Sequence, residues 1–329
     1  MLLSWRWLTP TLRRFWVHLG AGIVVCSLFS VSHGATAQTC TVAAPTLTFG
    51  TLNPYSAAVT TTSGSGNISC NNPTAASVAI YLCLSLGTGT GGTTPANRTL
   101  ASGASTIPIT LKTGGSPGQV GDGTSFPMAG PITVTVAAGA TVNTAFSLIS
   151  TVPPPSPAPA PGSYTSSFAG ADAQLIYAVR TSTTTCPTLN SGAHQTAQGS
   201  FTISATVPTQ CSVTSTSMAF PTSSVLTQPQ NATATMSVTC NAIVPVTVGL
   251  DNGATGTGPT TRMMKSGTNA ITYGIYRDVA ASLPWGNTAG TNTAVRDGTG
   301  TLTAYGLVPA QTSPPPGSYT DVVNVVITY

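Results

Sequence analysis

Few residues of this chain are of the types that catalyse reactions. Once the N-terminal leader described below is set aside, one histidine remains, His194, in a Ser/Gly/Thr-rich loop beside Cys186. A Ser-His-Asp or Cys-His site would have to use this histidine. The six acidic residues are scattered aspartates, which disfavours a paired-carboxylate glycosidase, and a zinc site lacks ligands. The sequence therefore predicts a protein that is not an enzyme, with no cofactor and no metal ion.

The cysteines indicate a covalent framework. Of the seven cysteines, Cys26 lies in the leader, and an even number in the rest of an exported chain predicts disulfides formed in an oxidising compartment. Six cysteines allow about fifteen connectivities on spacing alone. The six are Cys40, Cys70, Cys83, Cys186, Cys211 and Cys240.

Residues 1–37 have the features of a secretory signal peptide. They contain a basic region with three arginines, an apolar run over 19–31, and the small-residue cleavage site Ala35-Thr36-Ala37. No other apolar run is long enough to span a bilayer. Seven of the ten basic residues follow the leader and face six aspartates, so the mature chain has a net charge of +1. It has no basic surface that would bind nucleic acid.

The exported part of the chain repeats itself. Each copy has a Cys-Thr-Val or Cys-Ser-Val start, a second cysteine followed by an alternating strand, and an arginine before apolar residues. Each copy also has a proline loop that ends in Gly-Ser-Tyr-Thr, at 162–165 and at 317–320. Such a repeat predicts two tandem domains of similar fold, which we place at 38–207 and 208–329.

The matched spacing of the two copies narrows the disulfide choices. Cys211 and Cys240 lie in the second domain and are predicted to pair with each other. Cys40 and Cys70 then pair by analogy, which leaves Cys83 for Cys186.

Both domains are predicted to be antiparallel β-sandwiches. Short runs of alternating apolar residues are separated by Gly, Pro and Asn turns, and no amphipathic helical pattern of useful length is present. The segment 201–207 alternates cleanly, and we expect it to fold back as the last strand of the first domain. The other predicted strands are 42–49, 68–70, 78–86, 107–111, 132–137, 144–150 and 174–179, then 236–240, 246–250, 271–277, 301–307 and 319–329.

The last predicted strand, 319–329, has an alternating pattern of side chains. The odd-numbered residues of 319–329 fall on one face of an extended chain, and the even-numbered residues fall on the other. A strand this apolar is expected to lie deep in a sheet, with one face well buried. No residues follow it to form the neighbouring strand. We therefore expect an exposed edge that can pair with another chain.

The second domain carries several motifs, in order, that resemble a known family. Over almost all of 211–329 they resemble a spore coat protein U domain, and the first domain resembles this family more weakly because it lacks the Tyr-Gly-Ile-Tyr and Trp-Gly motifs. The motifs are Arg262-Met263-Met264, Tyr-Gly-Ile-Tyr at 273–276, Pro284-Trp285-Gly286, Tyr-Gly-Leu-Val-Pro-Ala-Gln at 305–311 and Gly-Ser-Tyr-Thr-Asp at 317–321.

This resemblance implies a subunit of an archaic, Csu-type chaperone–usher pilus. It implies an all-β fold of two tandem immunoglobulin-like antiparallel β-sandwiches, of which the C-terminal one is incomplete and lacks its last strand. A periplasmic chaperone fills the groove first, an outer-membrane usher assembles the fibre, and the adjacent pilin subunit then donates a strand. The edge of the donor-strand groove would consist of Val323, Val325, Ile327 and Tyr329.

A place at the tip of the fibre is the more specific expectation. Only Gln38 and Thr39 separate the predicted cleavage site from Cys40, so we expect the chain to accept a strand and to have none to donate. The chain would be exported through the periplasm to the cell surface. At the pilus tip it would act as an adhesin on an abiotic or host surface and support biofilm formation.

Three apolar loops of the first domain are the candidate surface-binding regions. The prolines of 152–161 are stiff and present apolar surface at little entropic cost on contact. The alternative for this loop is a spacer packed on its own domain. The candidate residues are Pro54, Tyr55, Phe126, Met128, Val152, Pro153, Pro154 and Pro155.

Two other functions stay open on the sequence. A secreted sugar-binding module that forms no fibre would use Trp285 and the tyrosines at 273, 276, 305 and 319 as a platform, although core positions in the sandwich explain these residues better. The other alternative is a structural component of a spore or surface coat.

Overall fold

The computed structural model describes residues 37–329, and nearly all of their regular structure is β-sheet. The predicted signal peptide, except for Ala37, and Cys26 lie outside the described residues. Each strand ladder of residues 37–329 lies on one side of the short connection 208–210, so the strands form an N-terminal and a C-terminal sandwich. The predicted all-β class with two tandem sandwiches is confirmed.

The N-terminal sandwich packs a sheet of order β1-β3-β9-β7 against a sheet of order β2-β11-β10-β4-β8, and β5 joins the second sheet by pairing with β10 and β6. Its elements are β1 Thr39–Ala43, β2 Leu47–Thr51, β3 Thr60–Asn71, β4 Val78–Leu86, β5 Thr99–Ser102, β6 Ser105–Pro108, β7 Thr110–Thr113, β8 Ala129–Val136, β9 Thr141–Val152, β10 Gly162–Val179, α1 Cys186–Ser191 and β11 Gln195–Val207.

The C-terminal sandwich packs a five-stranded sheet of order β12-β13-β18-β16-β15 against a three-stranded sheet of order β17-β14-β19. Its strands are β12 Cys211–Ser215, β13 Gln230–Cys240, β14 Pro245–Leu250, β15 Arg262–Ser266, β16 Asn269–Tyr276, β17 Ala294–Asp297, β18 Gly300–Val308 and β19 Val325–Thr328.

Strand β11 closes the N-terminal sandwich. It lies between β10, to which it is antiparallel, and β2, to which it is parallel. Its inward residues from Phe201 to Val207 are buried, and the Phe201 ring stacks on Phe168 with centroids 4.6 Å apart. The predicted return of 201–207 as the last strand is confirmed, and the strand begins earlier than predicted. The strand that completes the first sandwich thus comes from the segment just ahead of Cys211.

Three disulfides reinforce the two sandwiches. Cys40–Cys70 joins β1 to β3, and Cys211–Cys240 joins β12 to β13 at equivalent register positions. Cys83–Cys186 ties α1 to β4 across 103 residues of sequence. The pairing predicted from the repeat is the pairing in the structure.

Two predicted strands are broken where proline interrupts the ladder. The predicted strand 42–49 is wrong as one element, because the chain leaves the first sheet at Pro45 and enters the second sheet as β2. The predicted strand 107–111 is divided after Pro108, and the Ile109 amide bonds to the Arg98 carbonyl instead. The sequence analysis missed the short strands β5, β12, β15 and β17 and the six-residue helix α1, which begins after Thr185 and has a proline in its first turn.

The buried face of β11 predicts a large mutational effect. Phe201→Ala should destabilise the N-terminal sandwich by about 3–5 kcal/mol, because a buried ring is lost and a cavity remains. Thr202→Ala, at the next position and outside the core face, should change the stability by about 0.5 kcal/mol or less. Urea unfolding with limited proteolysis distinguishes the two sandwiches. Equal stability of the two variants would contradict the role of β11 as a core strand.

Candidate functional site

Arg262, at the start of β15, is completely buried and binds the end of β14. Its Nε donates to the Asp251 carbonyl (2.8 Å) and its Nη2 donates to the carbonyls of Leu250 (3.2 Å) and Trp285 (2.8 Å). Buried carbonyls at the end of a ladder need such donors, since water does not reach them. Arg262 therefore fixes the end of β14 against the loop that carries Trp285.

Arg98 has the same position in the N-terminal sandwich. Its Nε donates to the Gly87 carbonyl (2.7 Å) and its Nη2 to the Leu86 carbonyl (2.5 Å), 11 and 12 residues earlier, the separations found for Arg262. The sequence repeat identified both arginines but not their buried role. Because the two arginines bind equivalent carbonyls, Leu86 at the end of β4 corresponds to Leu250 at the end of β14.

Burial weakens the tendency of both guanidinium groups to stay charged but does not abolish it. It lowers the pKa of Arg98 to about 10, while the charges of Asp122 and Asp172 act in the opposite direction. Burial also lowers the pKa of Arg262, against the charges of Tyr273, Asp251 and Asp321. Arg98 is therefore a cation at neutral pH.

The last segment of the chain passes from one sheet of the C-terminal sandwich to the other. Thr320 exchanges two backbone hydrogen bonds with Lys265 of β15 (2.8 and 3.1 Å). Further along, β19 pairs with β14, with Val325 opposite Leu250. The prediction of one continuous strand over 319–329 is therefore wrong, because residues 321–324 cross between the sheets.

Two aspartates hold this crossing in place. Asp321 accepts hydrogen bonds from the Tyr273 hydroxyl (2.8 Å) and the Ala254 amide (2.9 Å). Asp251 accepts from the backbone amide (3.0 Å) and the side-chain amide (2.6 Å) of Asn324. The sequence analysis did not predict these contacts. Their carboxylates satisfy amides that a continuous ladder would otherwise bond.

The surroundings of Asp251 favour its charged form. Burial by itself raises the pKa of this carboxyl, but hydrogen bonds from Asn324 and Gly253 and the charge of Arg262 outweigh burial and lower it. Burial and the hydrogen bond to Asp321 raise the pKa of the Tyr273 hydroxyl, which therefore remains a donor.

A groove of about 400 Å³ opens beside the crossing segment. One wall is the segment 215–220, which includes Met218 and Phe220, and the other wall is 319–325. Strand β19 is the edge of its sheet, so among the described residues no strand pairs with its groove side. The floor comes from both sheets and consists of Ala234, Met236, Leu250, Met264, Tyr273, Ile275 and Ala304.

Only two of the four predicted groove-edge residues line the groove. Val323 and Val325 line the groove, and Ile327 packs on the core as a half-buried side chain. Tyr329 lies beyond β19 and is 50 % exposed. The predicted alternation is present, since Val326 on the other face is 48 % exposed. The prediction that this face is well buried is wrong, because the face borders an open groove.

In the N-terminal sandwich, strand β11 occupies the position that corresponds to this groove. The Tyr164 hydroxyl donates to the Ala160 carbonyl (2.6 Å), as the Tyr319 hydroxyl does to the Pro315 carbonyl (2.7 Å). The start of β10 therefore corresponds to residues 317–320, which lead into the crossing segment. Strand β11 lies beside β10 and next to β2. In the C-terminal sandwich, the groove lies beside the counterpart of β10.

Three of the predicted surface-binding residues are buried. Pro54, Met128 and Val152 have little or no exposed surface, so the prediction that they offer apolar surface to a target is wrong. Met128 packs beneath α1 with Leu189 and the Cys83–Cys186 disulfide. Of the other candidates, Tyr55, Phe126, Pro153 and Pro155 are half-buried and Pro154 is exposed.

The loops that contain most of these candidates lie at the end of the N-terminal sandwich that adjoins the C-terminal one. The loops 52–58 and 152–159 line one small cavity together. Asn241 donates its side-chain amide to the carbonyls of Pro159 (3.1 Å) and Pro208 (2.9 Å). This supports the spacer alternative for the proline loop, which braces the junction.

The remaining chemical candidates occupy ordinary structural positions. His194 is exposed, with its ring Nδ1 2.8 Å from the Gly192 carbonyl oxygen. Trp285 is 1 % exposed and donates from Nε1 to the Val248 carbonyl (2.9 Å), so it belongs to the core and not to a sugar platform. Residues 37–329 contain no cluster of side chains suited to a metal ion. In the same range, no helix has the length and apolar character needed to cross a membrane.

The comparisons with known proteins concern both halves of the chain. The family model described as Spore Coat Protein U domain matches residues 26–170 and 197–326. No curated protein sequence matches the chain.

Three solved structures illustrate the similarities. A chain of the CsuC-CsuE chaperone-tip adhesion subunit pre-assembly complex, from archaic chaperone-usher Csu pili of Acinetobacter baumannii, is 16 % identical, with 88 % of this chain and 100 % of that chain covered and a TM-score of 0.47. The CupB6 tip adhesin from Pseudomonas aeruginosa is 11 % identical, with coverages of 88 % and 93 % and a TM-score of 0.34. AggA, the major subunit of aggregative adherence fimbriae type I from Escherichia coli, is 15 % identical, with coverages of 52 % and 94 % and a TM-score of 0.25. Similarities this distant assign no role to individual residues.

The depressed pKa of Asp251 predicts a pH dependence. A carboxyl whose pKa is lower in the folded state stabilises that state above its unfolded pKa, and this stabilisation is lost as the pH falls through the folded value. The C-terminal sandwich should therefore lose stability below about pH 4. Asp251→Asn should reduce this loss, measured as the melting temperature between pH 7 and pH 3. Asp297→Asn, on the exposed edge strand β17, is the control, and equal pH profiles for the two variants would contradict the assignment.

Proposed function

Because the chain belongs to the Spore Coat Protein U domain family, we propose that it is a subunit of a chaperone–usher pilus, held in the fibre by a strand that enters the groove of its C-terminal sandwich. The observation that carries the proposal is an open strand edge, β19, beside a groove that has a mostly apolar floor and is lined by Val323 and Val325. Strand addition to such an edge gains affinity from main-chain hydrogen bonds and specificity from alternating side-chain pockets.

The proposed partners follow from this groove. A periplasmic chaperone occupies the groove before assembly, an outer-membrane usher receives the complex, and the adjacent pilin subunit replaces the chaperone with its own strand. An exposed apolar groove promotes aggregation unless it is covered, which is a physical reason for a chaperone. The subunit is exported through the periplasm and resides on the cell surface.

The position of β11 supports a place at the tip of the fibre. This strand directly precedes the C-terminal sandwich, where a segment for donation to a neighbouring subunit would be attached, yet it is consumed by the N-terminal sandwich of the same chain. The chain therefore has one filled site and one open site. In the proposed fibre, the open site receives the subunit below, and the N-terminal sandwich projects outward as the adhesin.

In the proposed fibre, the outward end of the N-terminal sandwich is the end remote from the connection to Cys211. Val207 of β11 pairs with Gly162 and leads into the connection to Cys211, whereas Gln195 pairs with Tyr177 at the opposite end of the ladder. The exposed residues of this opposite end are mostly Ser, Thr, Ala and Gly, in the segments 73–77, 137–139 and 181–185. In the proposal, surface attachment and biofilm formation use the N-terminal sandwich. The proline loop lies at the junction end, so it is a candidate contact only through its exposed residues Pro154 and Pro157.

Substitutions in β19 test strand acceptance. Val325→Arg should abolish co-purification with the cognate chaperone and incorporation into pili, because a long charged side chain would be placed over the apolar floor of the groove. Val326→Arg, the next residue on the exposed face, should preserve both. A pull-down with tagged chaperone and immunogold labelling of pili measure the two effects. Full incorporation of the Val325→Arg subunit would contradict the proposal, whereas a chaperone-free, stable monomer of the unmodified chain would favour a secreted module.

Substitutions of exposed prolines test the adhesive loop. Replacement of Pro154 and Pro157 by Ser should reduce biofilm attachment several-fold at unchanged pilus length, because rigid apolar contact surface is lost. The matched control is replacement of Pro315 and Pro316, exposed residues of the equivalent loop in the C-terminal sandwich, which should leave attachment unchanged. Unchanged attachment of the Pro154/Pro157 variant would restrict the loop to its role at the junction.

A further inference from the structure

We propose that the strand accepted by the C-terminal groove lies in the register that β11 has in the N-terminal sandwich. In this register an aromatic side chain lies opposite Val323, a branched aliphatic side chain opposite Asp321, and a small side chain opposite Tyr319. The inference rests on the proposed function, since it describes the occupant of the same groove. The partner is an extended segment of another chain, antiparallel to β19, whose inward residues read aromatic, branched, small toward its C-terminus.

The first anchor of this register is the Gly-Ser-Tyr-Thr motif. Tyr164 and Tyr319 end this motif's turn with the same hydrogen bond to the carbonyl four residues earlier. In the β10–β11 ladder, Tyr164 lies opposite Ala205. The same ladder places Ile203 and Phe201 at the next two inward positions of the donor strand. Because the motif equates Tyr164 with Tyr319, the donor positions equivalent to Ala205, Ile203 and Phe201 face Tyr319, Asp321 and Val323, in that order.

The second anchor is the buried arginine, which is independent of the first. Leu86 and Leu250 both accept a hydrogen bond from the arginine Nη2 of their sandwich. Leu86 pairs with Ala173 on β10, and Leu250 pairs with Val325 on β19. Ala173 therefore corresponds to Val325, and two residues further along each chain Leu175 corresponds to Ile327. On β11 the residue opposite Leu175 is Ala197, so the donor position equivalent to Ala197 faces Ile327.

The two anchors agree, although β10 and the C-terminal segment differ in length. From Phe168 to Ala173 the chain advances five residues, whereas from Val323 to Val325 it advances two. The difference lies within the irregularity of the β10–β11 ladder between Ala169 and Gln174, where Gly170 has a φ of 61°. Over the same stretch β11 advances only two residues, from Ser200 to Gln198, so the extra residues lie in β10. A straight donor strand therefore satisfies both anchors in the C-terminal sandwich in one register.

The sizes of the side chains give the register its specificity. Of the fully buried inward residues of β11, the largest, Phe201, stacks on Phe168, and the smallest, Ala205, faces the buried Tyr164. The C-terminal sandwich has Val323 in place of Phe168, and the groove beside it is open. A large side chain is needed to fill this space. An acidic side chain is disfavoured at the inward positions, because the floor of the groove is mostly apolar and the Asp321 carboxylate is already hydrogen-bonded.

The test uses the full chain with a second copy of Gln195–Val207 fused after Tyr329 through a short Gly/Ser hairpin linker. The matched control is a copy of identical composition in which Phe201 and Ala205 have exchanged places. The unmodified copy should raise the melting temperature of the C-terminal sandwich, and the exchanged copy should lose about 10 °C or more of this gain.

Disulfide trapping reports the register directly. Val322→Cys in the chain should cross-link to Thr202→Cys in the fused copy and not to Ser204→Cys, which lies one outward position away. If neither copy raises the melting temperature and no cross-link forms, strand acceptance and the proposed function both fail. If both copies stabilise equally, or the Ser204→Cys cross-link forms as readily, strand acceptance stands and the proposed register is wrong.

Discussion

A β-sandwich buries its core only when both of its sheets have all the strands needed to cover that core. This constraint applies to both halves of the chain. The N-terminal sandwich meets it from within, because β11 lies between β10 and β2 and contributes four buried side chains ending at Val207. The C-terminal sandwich does not meet it with the described residues, so its apolar groove remains open beside β19. The strand that completes the N-terminal sandwich therefore has no counterpart among the described residues of the C-terminal sandwich.

Both copies solve a second problem in the same way. Charge is scarce in this chain, where Asp, Glu, Lys and Arg together make up 5 % of residues, so ion-pair networks contribute little. Each sandwich instead uses one buried arginine to bind the carbonyls at the end of a central strand, and one disulfide to join its first two paired strands. Arg98 and Arg262 each replace several missing ladder bonds with charge-assisted ones, which are stronger than neutral hydrogen bonds.

Some of this architecture is predictable from the sequence and some is not. Strand β4 coincides with the predicted 78–86, because alternation and flanking turns specify it locally. The disulfides follow from the repeat, and β11 follows from the alternation of 201–207. The break in 319–329 does not follow, because alternation shows which residues share a face but not which sheet the strand joins. Lys265 and Asp251, both distant in sequence, determine that change. The placement of the proline loop likewise depends on Asn241, a contact across the junction.

The short connection 208–210 has a mechanical consequence. A tension applied between the two sandwiches enters the N-terminal one at Val207, the end of β11, and runs along the axis of that strand. Strand β11 is hydrogen-bonded to β10 on one side and to β2 on the other, so the load is shared by many bonds sheared together instead of being opened one at a time. On the other side of the connection, the first residue of β12 is Cys211, which is covalently bound to Cys240. The strand that completes the N-terminal sandwich is thus also the strand through which a tensile load enters that sandwich.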